Sequence, residues 1–124
     1  MIEIDFNSAV AIYDQVKAGI KGLVARGALR PGDPAPTVRG LAVELKINPN
    51  TAARALRELV EEGILETRRG AGCLVAEQAR KLAQEGLSGS RGGLREALRL
   101  ARRSGMEWSD IEKTVREEKN AERE

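Results

Sequence analysis

Between Ala9 and Arg26 the apolar residues Ile12, Val16, Ile20 and Leu23 return every three or four positions, with Val24 beside them. That is the helical period, and it predicts a first helix over 9–26 with Asn7 or Ser8 as its cap. Gly27, Pro31, Gly32, Pro34 and Pro36 then break the pattern. Proline lacks the backbone donor and restrains the residue before it, so this stretch reads as a turn-rich connection. Val38, Leu41, Ala42 and Leu45 restore the helical spacing over 38–45, behind a capping Thr37. Lys46 and Ile47 form the next turn. Asn48 followed by Pro49 is then the cap and first-turn pair of a third helix running to about Glu62. Its Ala52, Ala55, Leu56, Leu59 and Val60 are expected inward, and Gly63 supplies its left-handed stop.

The period shortens after that stop. Ile64–Thr67 and Cys73–Val75 are short β-prone runs around Arg68-Arg69-Gly70-Ala71-Gly72, which predicts a hairpin. Past Ala76 charged helix formers take over, and the Gly and Ser cluster over 86–93 predicts a break in them. A helix is expected from Leu94 to Arg103, ended by Ser104-Gly105, and Ser109 with Glu112 offers a capping box for a last helix. Leu94, Leu98 and Ala101 make one apolar stripe, and Trp108, Ile111 and Val115 make another. Residues 117–124 are expected to fray. The expectation is a mainly α chain: residues 1–76 as a winged helix-turn-helix of three helices plus a β-hairpin, and 77–124 as a short helical dimerisation region.

In a winged helix-turn-helix the third helix enters the major groove. Here its outer side carries Asn48, Asn50, Thr51, Arg54 and Arg57. Asparagine can pair bidentately with adenine and arginine with guanine, while threonine and arginine also hold phosphates. The plainer alternative is that Arg39, Arg54 and Arg57 are solvated charges pairing with Glu44, Glu58 or Glu61. For Arg57 that alternative is preferred.

Composition narrows the partners. The 124 residues carry 21 basic and 19 acidic side chains, so any attraction to DNA must come from a local basic surface. Histidine is absent and Cys73 is the single cysteine, which leaves no intrachain disulfide, no metal cluster and no imidazole base. No carboxylate pair, Walker loop or dinucleotide loop stands out either, so neither an enzyme nor a cofactor is expected. The acidic start Met-Ile-Glu-Ile-Asp-Phe does not read as a secretory signal, and no apolar run approaches the roughly 20 residues that span a bilayer. A cytoplasmic chain without a membrane partner is expected. Cys73 reads as a small core hydrophobe, and Arg91, Arg95, Arg99 and Arg102 or Arg103 read as a solvated dimer rim interleaved with Glu96 in preference to a basic stripe for phosphates.

Specific blocks add to this. Tyr13-Asp14-Gln15-Val16, Gly27 through Asp33, Pro36 through Ala42, Asn48 through Leu56, and Arg68 through Gly72 resemble in order the blocks of the GntR family's DNA-binding domain, over roughly residues 9–76. The resemblance implies that Arg39 and the stretch Asn48 to Thr51 touch DNA, and that the wing tip from Arg69 to Gly72 reaches the minor groove. Thr37 and Arg68, next to these, complete the candidate set of Thr37, Arg39, Asn48, Asn50, Thr51, Arg54, Arg68, Arg69 and Gly70. Pro49 stands where many members carry arginine, Ala35 where a large apolar residue is usual, and Gly40 where glutamate is. The Asn-Pro-Asn-Thr turn and short C-terminal region are similar to the YtrA-type branch, whose members end in a helical pair used for dimerisation. It implies a homodimeric regulator, expected to repress, on a palindromic double-stranded operator. Residues 77–124 are too few for a large effector domain, so an enclosed effector pocket is not expected. The competing reading is a winged-helix module for protein–protein contact.

Overall fold

Helices α1 (Ile12–Ala25), α2 (Val38–Leu45) and α3 (Pro49–Glu61) form in the order set by the apolar spacing. The computed structural model describes residues 2–123, with only the backbone of Arg123. Each boundary has a local cause. Thr37 Oγ1 accepts the Gly40 N–H at 2.9 Å and Asn48 Oδ1 accepts the Asn50 N–H at 2.8 Å, each satisfying a donor that the first helical turn leaves unpaired. Pro49 occupies that first turn of α3, where its missing N–H costs nothing. α2 ends because Lys46 turns left-handed, with φ 56°, which sends Ile47 into the core. Gly63, at φ 83°, turns the chain after α3, a conformation open to glycine at no steric cost.

α1 starts later than the spacing predicts. Neither Asn7 nor Ser8 caps it; Ser8 Oγ instead accepts the Val10 N–H, and Ala11 is the cap residue without a side-chain bond. Gln15 closes this entry, its Nε2 donating to the carbonyls of Asp5 and Val10 and its Oε1 accepting the Asp5 N–H. Ahead of it Ile2 and Ile4 pack against the core. Ile2 lies so close over Gly19 that a Cβ there would come within 2.7 Å of its Cγ2.

The core joins Val16, Ile20 and Val24 of α1 to Leu41 of α2 and Ala52, Ala55 and Leu59 of α3, closed by Leu65 and Val75. Burying each Leu, Ile or Val stabilises by roughly 1.5–3 kcal/mol, which anchors α3 on α1 and frees its other side for solvent. Val60, expected inward, is 36% exposed. It lies one position past the buried stripe and lines an open cleft beside the hairpin.

Strands β1 (Leu65–Arg68) and β2 (Gly72–Val75) pair antiparallel, with Leu65 opposite Val75 and Arg68 opposite Gly72. The proline-rich connection is not merely a turn. Pro34 bridges Leu74, the Ala35 N–H donates to the Cys73 carbonyl, and the Val75 N–H donates to the Asp33 carbonyl, both at 2.9 Å. This strip covers the outer edge of β2 and fixes the root of the hairpin.

The C-terminal part departs most from expectation. α4 is continuous from Ala79 to Arg103, straight through the glycine cluster where a break and a fresh start at Leu94 are expected. Each helical glycine costs about 1 kcal/mol relative to alanine. Extending a helix nucleated on both flanks costs far less than starting one, so the cluster softens the helix without stopping it. α5 spans Trp108–Arg123, so 117–123 is helical rather than frayed, and Glu124 lies outside the described residues. Its cap is not the Ser109 and Glu112 box: Asp110 Oδ2 reaches back to the Glu107 N–H at 3.0 Å. The chain divides into two compact units, Met1–Gly86 and Leu87–Glu124. Ala79 and Ala83 belong to the first core, so that unit runs past Ala76.

Candidate nucleic-acid interface

The N-terminal turn of α3 places Asn48 and Asn50 on the surface and Thr51 half-buried at its edge, with Arg54 one turn on. The strong one-sidedness of α3 explains this: its apolar residues face α1 and α2, which leaves Asn50 to solvent and Arg54 at the border, over the Tyr13 ring of α1. Arg39 on α2 and Arg68, Arg69 and Gly70 at the hairpin end are exposed as well. Thr37, Arg57, Thr67 and Gly72 line one open cleft of about 430 Å³, so the start of α2, the outer side of α3 and the hairpin border a common surface. Gly70 and Gly72 have φ of 84° and 77°, which the turn between the strands requires.

Several candidates already have partners within the chain. Thr37 and Asn48 are caps, and Arg68 pairs with Glu66 at 2.8 Å. Arg54 donates from Nε to Glu58 Oε2 at 2.8 Å, and its guanidinium carbon lies 3.7 Å from the centre of the Tyr13 ring. Glu58 also takes Lys17 Nζ at 2.9 Å, and Lys17 and Lys21 share Glu62. The Arg54 bond, then the Lys17 bond, hold the Glu58 carboxyl below its ordinary range. Bonds to Glu62 and then Glu58 push the Lys17 ammonium well above the ordinary lysine value. The Arg54 to Glu58 pair follows the i,i+4 rule and is legible in the sequence. Tyr13 and Lys17 sit on another helix, and no local spacing connects them to Arg54.

Cys73 is half-buried and unpaired, and burial pushes its thiol up, away from the reactive thiolate. Among the described residues no three His, Cys, Asp or Glu converge as a metal site, and no helix is long and apolar enough to cross a membrane.

In the second unit Leu94, Trp108 and Val115 are each more than half exposed, while Leu98 and Ala101 are partly covered. Ile111 differs from its expected neighbours: it is 7% exposed, already closed off within the chain rather than open as an interface residue. Arg102 donates from Nη1 to the Met106 carbonyl at 2.8 Å and lies 5.2 Å from the Trp108 ring centre, which steadies the turn between α4 and α5.

Residues 12–75 match the model of the family described as bacterial regulatory proteins, gntR family. The chain is 44% identical over 86 residues to the HTH-type transcriptional repressor YtrA of Bacillus subtilis (strain 168), a match that spans 69% of this chain and 66% of that protein. Among solved structures, YtrA from Sulfolobus acidocaldarius, a GntR-family transcription factor, superposes with a TM-score of 0.58 at 30% identity, covering 97% of both chains. AraR(DBD) in complex with operator ORE1 superposes with a TM-score of 0.52 at 26% identity, over 61% of this chain and 93% of that one.

Proposed function

This chain belongs to the GntR family of bacterial regulatory proteins, and on that premise we propose that it is a cytoplasmic, DNA-binding transcriptional repressor that acts as a homodimer on a palindromic operator. The observation that carries the reading is the outer side of α3. Asn50 and Arg54 are exposed, with Thr51 at their edge, on a helix whose apolar side is spent on α1 and α2, and Arg39 and the hairpin arginines are exposed too. Those residue types recognise base edges and phosphates. A protein–protein module needs an apolar anchor on this side, and apart from Pro49 and Val60, the latter 36% exposed, its exposed positions are polar or charged. A family of regulatory proteins also decides against an enzyme.

Within this reading the unit up to Gly86 reads DNA and residues from Leu87 onward hold two copies together. Leu94, Trp108 and Val115 support the second role, because that much apolar surface on two slender helices stays in water unless another chain covers it. A two-fold pair is the simplest cover, and it presents two α3 helices to half-sites about one helical turn, roughly 34 Å, apart or farther.

Selection of bound duplexes from a random pool, followed by titration at several salt concentrations, tests the proposal. A palindromic sequence should emerge, with affinity falling linearly in log–log against salt as counterions are released. Arg39→Ala should weaken the selected duplex by about 1–3 kcal/mol. A flat salt dependence, or no enriched sequence, would refute the reading.

A further inference from the structure

Arg54 is held on two sides in a way that its own stability does not explain. Its Nε donates to Glu58 Oε2 at 2.8 Å, one turn along α3, and its guanidinium lies 3.7 Å from the Tyr13 ring centre on α1. The side chain is nonetheless 51% exposed, and an exposed ion pair of this kind adds little to folding. The atom through which it is held is informative. Arginine presents five N–H donors in a rigid planar fork. A bond through Nε occupies neither terminal nitrogen, and stacking on a ring fixes the plane of the fork. The two terminal groups are the pair that addresses guanine O6 and N7, or two phosphate oxygens, together.

Glu58 is itself fixed from α1. Its other oxygen, Oε1, takes Lys17 Nζ at 2.9 Å, and Lys17, only 14% exposed, is anchored further by Glu62. α1 therefore supplies both the ring under Arg54 and the cation that holds the carboxylate beside it. A carboxylate at this surface has a cost for any DNA-binding helix, since it repels phosphates. On charge alone its removal should tighten binding to every duplex.

We infer that Glu58 and Tyr13 are positioning residues that pre-set the guanidinium plane of Arg54 for one bidentate contact, trading general affinity for DNA against discrimination of the operator. The inference rests on the reading of Arg54 as a DNA-facing side chain. An unheld arginine gives up rotamer freedom on binding, and an arginine already held gives up less. The gain applies only to the contact whose geometry matches the preset plane.

The test uses the full chain, the duplex it selects from a random pool, and a scrambled duplex of the same length. The readout is the ratio of the two affinities. Glu58→Ala should lower that ratio by roughly 3- to 10-fold, the share of arginine ordering that is no longer prepaid, while binding the scrambled duplex as tightly as the parent or more so. Glu58→Gln removes the same charge but can still accept from Nε, so its ratio should recover part of the loss. Tyr13→Leu, which leaves the ion pairs in place, should lower the ratio too, and it carries the test if the Glu58 variants unfold in thermal melts. Arg54→Ala should lose the most, and adding Glu58→Ala to it should cost nothing further. If Arg54→Ala lowers the ratio and both Glu58→Ala and Tyr13→Leu leave it at the parent value, Arg54 reads DNA unaided and the inference fails by itself. If Arg54→Ala leaves the ratio unchanged, the DNA-facing reading of Arg54 fails and takes the inference with it.

Discussion

Asn48 is the cap of α3 and, under the proposed function, also a candidate base reader, and the two roles draw on the same side-chain oxygen. Its Oδ1 accepts the Asn50 N–H at 2.8 Å. Bidentate reading of adenine needs the amide oxygen and nitrogen of one side chain together. The capping bond takes one of the two lone pairs of Oδ1 and holds the amide in place, so unless adenine N6 meets the remaining lone pair, Asn48 reads a base in that manner only by releasing the first turn of α3. The release costs about 1 kcal/mol, within a range of roughly 0.5–2, and the contact returns about 1–3 kcal/mol, so the net gain is small. Asn50, exposed and not spent on the cap, is the better candidate for adenine. Asn48→Ser keeps a capping oxygen and loses the amide; Asn48→Ala loses both. Urea unfolding should leave Asn48→Ser near the parent and lower Asn48→Ala by about 1 kcal/mol, equivalent to a drop of roughly 4–8 °C in melting temperature for a unit of this size. Operator selectivity of Asn48→Ser should stay within a few-fold of the parent. If Asn48→Ser is as stable as the parent but loses about tenfold or more at a single A·T position, Asn48 reads a base and the cap does not keep it from doing so. An unchanged midpoint for Asn48→Ala would refute the cap's contribution.

Other outcomes follow from particular contacts. Ala79 and Ala83 lie in the first core, so a chain ending at Gly86 should fold and sediment as a monomer, whereas one ending at Ala76 should unfold at clearly lower urea; equal midpoints for the two would contradict that packing. Stability should fall in acid through two glutamates. Burial raises the Glu62 carboxyl, but its bonds to Lys17 and Lys21 hold it below the ordinary value on balance, and Glu58 is lowered by Arg54 and then Lys17. Carboxyls lowered by folding contribute fully above the ordinary glutamate range near ~4.3 and lose that contribution as pH drops through their lowered values. Glu58→Gln combined with Glu62→Gln should flatten that acid limb in melts from pH 7 to 3, and an unaltered limb would place the acid sensitivity elsewhere. Gly92 is helical with nothing within 4 Å of where a Cβ would stand, so Gly92→Ala should raise helicity by circular dichroism and stabilise by about 0.4–1 kcal/mol. A loss instead would show that a second chain packs against that position.

What the sequence determined about this protein is what acts within one turn of a chain. Thr37 and Asn48-Pro49 set the starts of α2 and α3, Gly63 turns the chain after α3, and the glycine-bearing Arg68–Gly72 stretch marks the hairpin, because a cap, a proline ring or a positive φ does its work on neighbours three or four residues away. The polar outer side of α3 was legible for the same reason, through helical spacing and one i,i+4 pair. Tertiary structure alone decided the rest. Pro34 pairs with β2 because an open strand edge was available, a matter of what lies across space rather than of composition. Ala79 and Ala83 are drawn into the first core because small side chains fit where that core closes, and no periodicity marks them apart from other alanines of α4. The glycine cluster predicts a break by propensity, yet the helix runs through it, since propensity is a weak prior against the cost of nucleating a second helix. Tyr13 and Lys17 reach the Arg54 and Glu58 pair only because Val16 and Ile20 seat α1 against α3, and that buried contact brings side chains from distant parts of the chain within hydrogen-bonding range.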